Sequence, residues 1–350
     1  MFDPSPLTPW GWPSSSFSSL SESPTHRPAR VLAQHRGAWL VHDGTGPSLA
    51  RLSGSLRHGA LSPEQLPAVG DWVLLEPGAA VIRELLPRHS TLLRRQPGNP
   101  PRPQILAANV DTALLVCGLD RDFNPRRIER ALAQLSACVD RIALILSKGD
   151  LCLDPAARLG EVSHLGAEAV ILLSVQAGWG LEALDPFLVP ASTLVLLGSS
   201  GAGKSTLLNA LLGEGRQRTR EVRLQDQRGR HTTTHRELFP LPQGALLIDT
   251  PGLREWQLWD ADPGLERAFE DLSALGVACR FRDCRHEGEP GCAVAAALDA
   301  GSLEPGRVDN YRKLRREADY QGSLEDESLR RARKALEKER SRAIKRYEKN

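Results

Sequence analysis

No apolar run in the 350-residue chain approaches the roughly 20 residues that cross a bilayer, so no membrane span is expected. The first residues, "MFDPSPLTPWGWPSSSFSSLSESPTHRP", lack both the basic start and the continuous apolar core of a secretion signal. Their Ser and Pro content predicts a disordered tail over 1–29, in which Trp10, Trp12 and Phe17 are the groups able to dock. Excess charge is nearly absent, at +2, so whole-chain electrostatics single out neither nucleic acid nor a lipid surface. The balance is uneven, however, and the last forty residues are rich in Lys and Arg. Internal repeats are also lacking, so a repeat architecture is not expected. The six cysteines, with no secretion signal, are expected to be reduced in a cytoplasmic setting. Cys117, Cys138 and Cys152 are scattered through apolar segments, as small buried side chains would be, whereas Cys279, Cys284 and Cys292 cluster.

Hydrophobic residues make up 41% of the chain, enough for two or three domains with their own cores. From about 30 to 95, short segments such as "SLARLSGSL", "GDWVLLEPG" and "AAVIRELLPR" are separated by Gly, Pro and Asp turns. That pattern predicts a small β-barrel, first of the oligonucleotide-binding (OB) kind and second SH3-like. "RRQPGNPPRPQ" at 94–104 reads as a proline-rich connector. Apolar strands then alternate with helical patterns: "TALLVCGL", "RIALILSKGD", "AEAVILLSVQAG", "STLVLLG" and "GALLIDTPG". Continuous apolar strands separated by helices indicate a parallel sheet covered on both faces. From about 262 the pattern is helical, passes through the cysteine cluster and ends in a long charged helix.

"LLGSSGAGKSTLLNAL" at 196–211 holds Gly198, Gly203, Lys204 and Ser205 in phosphate-loop spacing between a strand and a helix. Backbone N–H groups from Gly198, Ser199, Ser200, Gly201, Ala202 and Gly203 through Thr206 would cradle phosphates. Lys204 would reach the β- and γ-phosphates, and Ser205 would hold Mg²⁺. "LLIDTPG" supplies Asp249 as a further magnesium residue and the Gly252 N–H as a γ-phosphate sensor. Between them, "GRHTTTH" offers Thr233 to the magnesium shell, with Thr232 and Thr234 as alternatives; a polar turn is the plain reading. Base recognition falls earlier in the chain, in "LILSKGD" (Ser147, Lys148, Gly149, Asp150). The Asp150 carboxylate can accept from guanine N1–H and the 2-amino group, a donor pair that adenine lacks. Ser174 and Val175 open "SVQAG", a loop whose backbone would back the guanine carbonyl. Base motifs therefore precede phosphate motifs. The loops of a parallel sheet gather at the C-terminal ends of its strands whatever their chain order, so this order describes a circular permutation.

"CRFRDCRHEGEPGC" brings together Cys279, Cys284, His286 and Cys292. Three thiolates and one imidazole are the ligand count of a closed, structural zinc site; the plain alternative is a run of reduced, partly buried thiols. The terminal "LRRARKALEKERSRAIKRYEKN" suits either a solvated helix laced with i,i+4 ion pairs or a basic helix against RNA phosphates. In the barrel, His35, Arg36, Arg57 and His58 are candidate RNA contacts.

With these motifs in hand, residues 30–320 resemble the circularly permuted, small-subunit-dependent GTPases of ribosome assembly, the RsgA (YjeQ) family. The likeness is carried by "VGDWV", "AANVD", the permuted motifs, "GRHTTT", "DTPG" and the cysteine cluster. It implies an OB-like barrel over 30–98, a permuted P-loop α/β GTPase domain over 99–260 and a mainly helical zinc-binding domain over 261–350. It further implies one structural zinc on the four Cys/His residues, Mg²⁺ with GTP, a monomer, and partnership with the small ribosomal subunit and its rRNA late in assembly. A nucleotide-regulated RNA-binding scaffold with negligible turnover is the rival, and a P-loop ATPase is disfavoured by Asp150. One departure is Ser147, where the family has Asn or Thr: serine keeps a hydroxyl but loses the amide that tethers base loop to phosphate loop. Leu253 follows Asp-x-x-Gly where many GTPases have a water-orienting Gln. His231 is therefore the catalytic candidate beside Lys204, against the plain reading of a turn-capping histidine.

Overall fold

Short strands with alternating burial build the N-terminal barrel. A computed structural model describes residues 3–13, 26–60, 62–96, 102–120, 123–213, 236–250 and 262–319. The barrel comprises β1 (Arg27–His35), β2 (Ala38–His42), β3 (Pro47–Leu52), β4 (Trp72–Leu75) and β5 (Val81–Leu85). Their order is β1-β2-β3-β5-β4, closed by β1–β4 pairing, with β3 and β5 parallel and the other neighbours antiparallel. A short helix, α1 (Gly54–Gly59), capped by the Ser53 hydroxyl, links β3 to β4. This is the OB arrangement rather than the SH3-like one. Val31, Val41, Ala50, Val73 and Ile82 fill its interior. The register Trp39↔Ala50 brings the β1–β2 turn, with His35 and Arg36, to the same end of the barrel as the start of α1, which carries Arg57 and His58.

The segment at 94–104 is not a plain connector. β6 (Thr91–Gln96) and β7 (Arg102–Ala108) pair antiparallel as a separate two-stranded ribbon, with Pro103 opposite Arg95. Proline is tolerated because a two-stranded ribbon is all edge. The expected disorder of 1–29 also fails for residues 3–13. Leu7 and Trp12 are buried against Trp72, Leu74 and Leu86, and the Trp12 and Trp72 rings meet edge-to-face at 4.8 Å. Three large apolar side chains in eleven residues (Leu7, Trp10 and Trp12) outweighed the Ser/Pro signal. The same expectation fails for 26–29, where β1 begins at Arg27 and Ala29 is buried; Phe17 lies outside the described residues.

The barrel continues into the central sheet, ordered β10-β9-β8-β11-β13-β12-β1. Here β8 (Thr112–Gly118), β9 (Arg141–Ser147), β10 (Ala169–Leu172), β11 (Thr193–Gly198) and β13 (Leu246–Asp249) are parallel, and β12 (Glu237–Pro240) is antiparallel to β13. The chain lays down β8, β9 and β10 outward to one side, then returns to insert β11 on the other side of β8. That jump is the permutation in structural form. Helices α2 (Pro125–Ser136), α3 (Pro155–Val162) and α4 (Lys204–Leu212) supply the covering layers. Asn124 caps α2 by accepting from the N–H groups of Arg126 and Arg127, and Ile128, Ala131, Leu132 and Leu135 bury its inner face.

Residues 1–259 and 260–350 form two units. In the second, α5 (Asp262–Ala268), α6 (Glu270–Gly276), α7 (Ala293–Asp299) and α8 (305–319) surround a small core that includes Phe269, Leu272, Val294, Val308 and Leu314. The basic stretch from 329 onward lies outside the described residues. No described helix is long and apolar enough to cross a membrane. Trp12→Ala should lower the stability of the first unit by about 3 kcal/mol, read as a lower urea midpoint; an unmoved midpoint would show that residues 3–13 contribute no packing.

Candidate nucleotide site and metal centre

Parallel registry sets the site. β9 ends with Ser147 beside Gly118 of β8, and β11 ends with Gly198 beside Val116 of β8. Gly198 is required by closeness: a Cβ there would lie 2.2 Å from the Val116 carbonyl oxygen. Residues Ser199 to Gly203 make the turn, and α4 starts at Lys204 with Gly203 as its cap. Ser200, Gly201, Ser205 and Thr206 are exposed, Ser199 is half-buried and Ala202 is buried. The Lys204 ammonium donates to the carbonyls of Gly198 (2.8 Å) and Ser199 (2.6 Å), folded over the loop it follows. Burial lowers its pKa, and the carboxylate of Asp249, at the end of β13, opposes that shift. Thr250 donates to the Leu196 carbonyl at 2.9 Å, tying the end of β13 to β11.

The base loop abuts the phosphate loop. The Ser147 hydroxyl donates to the Ala202 carbonyl at 2.6 Å, with the Cys117 carbonyl 3.3 Å away. Loss of the amide therefore does not remove the tether, because the shorter side chain starts close enough for its hydroxyl to make the bond. Lys148 takes a left-handed conformation (φ 60°) and pairs with Asp120 at 2.6 Å. Asp150, exposed, accepts from the Ser174 hydroxyl at 2.5 Å. Ser174 is buried and Val175 half-buried in the following loop. The ends of β9, β10 and β13 and the start of α4 thus bring Ser147, Lys148, Asp150, Ser174, Lys204, Ser205 and Asp249 to one edge of one sheet. His231, Thr232, Thr233, Thr234, Gly252 and Leu253 lie outside the described residues.

Sequence reasoning missed Asp120 and Trp179. Asp120 carries a weak signal, a carboxylate immediately after a buried strand. Trp179 is signalled by "GWG", an aromatic between two glycines at the end of the base loop.

The second unit holds the thiol cluster. The ligand atoms of Cys279, Cys284, His286 and Cys292 lie within 4.8 Å of one another. His286 Nδ1 is 3.4 Å from Cys292 Sγ and 3.6 Å from Cys279 Sγ, and the two sulfurs are 4.0 Å apart. A tetrahedral zinc ion would set such atoms about 3.5–3.8 Å apart, so the set fits a metal ion. Burial and nearby Arg315 lower the pKa of His286, favouring the neutral ring that a metal requires. Ala293 and Ala295 donate backbone N–H bonds to the sulfurs of Cys279 and Cys292 at 3.4 Å each. From α8, Arg312 donates to the His286 carbonyl and Arg315 to that of Cys284. These contacts fix the loop that carries two of the four ligands.

Comparison with known proteins agrees with this geometry. A family model described as RsgA GTPase matches residues 85–259. A relative from Opitutus terrae, named small ribosomal subunit biogenesis GTPase RsgA, is 48% identical over 87% of this chain and 87% of its own. A protein of the same name from Xylella fastidiosa strain M23 is 47% identical over 83% of this chain and 88% of its own. Among solved structures, that of YjeQ from Thermotoga maritima superposes with a TM-score of 0.62 at 26% identity, covering 84% of this chain and 98% of that one.

The Ser147 bond has a measurable consequence. Ser147→Ala is expected to weaken GDP and GTP binding alike by about tenfold, the worth of one well-placed hydrogen bond. Titration with a fluorescent guanine nucleotide checks it, and unchanged affinity would mean that the tether is idle.

Proposed function

Because the chain belongs to the RsgA GTPase family, we propose that it hydrolyses GTP to GDP and phosphate in the biogenesis of the small ribosomal subunit. The observation that carries this reading is the hydrogen bond from Ser147 to Ala202, which joins a base-reading loop to a phosphate loop. Guanine would stack on the Lys148 stem, present N1–H and the 2-amino group to Asp150, and receive the Val175 backbone N–H at its carbonyl. Lys204, freed from the Gly198 and Ser199 carbonyls, would turn to the β- and γ-phosphates.

The Ser205 hydroxyl and Asp249 carboxylate are hard oxygen donors suited to magnesium, joined by Thr233 (or Thr232 or Thr234) from the switch segment. Magnesium held there would neutralise charge on the phosphates. Gly252 would sense the γ-phosphate. Leu253 cannot orient water, so His231 would take that role, and intrinsic turnover would be slow without the subunit. Cys279, Cys284, His286 and Cys292 would hold one zinc ion with a structural role, since all four positions are filled by protein. The barrel end with His35, Arg36, Arg57 and His58, together with the zinc unit and basic C-terminal segment, would meet ribosomal RNA. The protein would work as a cytoplasmic monomer.

Multiple-turnover phosphate release, measured with and without small subunits, tests the reading. Strong stimulation is expected, and His231→Ala should abolish it. Turnover unmoved by subunits would turn the reading to a nucleotide-regulated RNA-binding scaffold. Asp150→Asn should weaken GTP and admit xanthosine triphosphate, and equal wild-type affinity for ATP and GTP would refute guanine recognition. Metal analysis of protein purified without chelators should find about one zinc per chain, and Cys284→Ser should lose both the metal and the fold of the second unit. A folded, metal-free protein would contradict the zinc assignment.

A further inference from the structure

Trp179 is unaccounted for by the nucleotide contacts. It is 37% exposed, a large aromatic at the closing end of the loop that begins with Ser174. Its backbone pairs with Ser174 in both directions, at 3.0 and 3.1 Å, closing the loop that begins with Ser174 and Val175. The turn beyond it is tight: a Cβ at Gly180 would lie 2.5 Å from the Leu172 carbonyl oxygen. Closed in this way, the loop returns the indole over the base-reading segment. A Cβ at Gly149 would stand 2.4 Å from the far edge of the indole and 3.3 Å from the Leu172 side chain. Gly149 is therefore covered on its outer side, while its N–H donates to the Leu173 carbonyl at 3.1 Å.

The cover matters because of what flanks Gly149. Lys148 holds a positive φ of 60°, a left-handed conformation that is disfavoured for a lysine and persists where neighbours hold it. Asp150, on the other side, follows any rotation of the 148–149 backbone. Its carboxylate has a side-chain anchor in the Ser174 hydroxyl, at 2.5 Å. Ser174 and Trp179 stand at the two ends of one closed loop, so that loop grips Asp150 through its side chain and Gly149 through its backbone.

We propose that Trp179 is a positioning residue for base selection: its indole caps Gly149 and keeps the Asp150 carboxylate aimed at both donors of guanine. The proposal rests on the guanine reading given above. A carboxylate aimed at both N1–H and the 2-amino group discriminates against hypoxanthine, which keeps N1–H and lacks the amine. One that swings with a loosened backbone retains N1–H and loses the second bond. The phosphate loop, on separate elements, is untouched.

The test is the ratio of GTP to ITP affinity in the full-length protein, measured by competition against a fluorescent guanine nucleotide. Trp179→Ala should weaken GTP more than ITP and reduce the ratio by about tenfold, the loss of one hydrogen bond to a charged group. Trp179→Phe, whose ring ends short of the indole's far edge, should recover only part of the ratio. Gly149→Ala, with the tryptophan in place but displaced by the new methyl, should lower the ratio as Trp179→Ala does, and it serves if the alanine variant does not fold. Equal weakening of both nucleotides, or a ratio that stays at the wild-type value, would overturn the proposal and leave Trp179 as packing. A wild-type protein that binds ITP as well as GTP would overturn the guanine reading and the proposal with it.

Discussion

Parallel pairing of β8 with both β9 and β11 is the constraint on which the nucleotide site depends. Its registers, Gly118 with Ser147 and Val116 with Gly198, end three strands at nearly one level. Base loop and phosphate loop, separated by some fifty positions in the chain, are thereby close enough for a single serine hydroxyl to bridge them. Parallel strands present all their C-terminal ends on one edge regardless of connection order. A permuted chain can rebuild the site for that reason, provided β11 returns to its place between β8 and β13.

The opposite edge of the sheet is tied to the barrel. Arg30, in β1, is buried and donates to the Asn109 carbonyl at 3.2 Å and the Thr193 hydroxyl at 2.9 Å, beside the starts of β8 and β11. Burial lowers its pKa to about 10, opposed by the carboxylates of Asp111 and Asp71, so it remains a cation at neutral pH. Asn109, itself left-handed at φ 53°, donates to the Gly70 carbonyl and accepts from the His89 N–H. Buried polar groups matched in this way hold one geometry more strictly than apolar packing does. A second link runs along the backbone, where Ala33 of β1 pairs with Glu237 of β12. Arg236, just before that strand, donates to the Ile105 carbonyl of β7 at 2.9 Å. The strand that leaves the switch segment is thus fastened to the barrel and to its ribbon.

In the second unit, seven- and fifteen-residue helices enclose a small core, and polar contacts carry part of the load. Arg307 is buried, makes two bonds to the Asp271 carboxylate at 2.7 and 2.8 Å, and lies over the Phe269 ring. A metal ion held by the thiol cluster would staple the loop between α6 and α7. Domains this size commonly need such a staple.

The sequence by itself determined which residues are the candidates for chemistry. Gly198, Lys204 and Ser205 follow a spacing that phosphate geometry demands, and the cysteine and histidine spacing announces a four-ligand set, because local backbone reach dictates both. Continuous apolar strands also identified the parallel sheet, and motif order identified its permutation. Tertiary structure alone decided relations between segments distant in the chain. Whether Ser147 could replace an amide depended on how near Ala202 lies, and whether Trp12 docks depended on Trp72, Leu74 and Leu86 coming together as one apolar patch. The ribbon of β6 and β7 depended on two segments finding a register on either side of a proline-rich stretch of sequence. Spacing along a chain encodes contacts that one turn or one loop can close, whereas contacts between elements exist only once strand order and registry have set the distances.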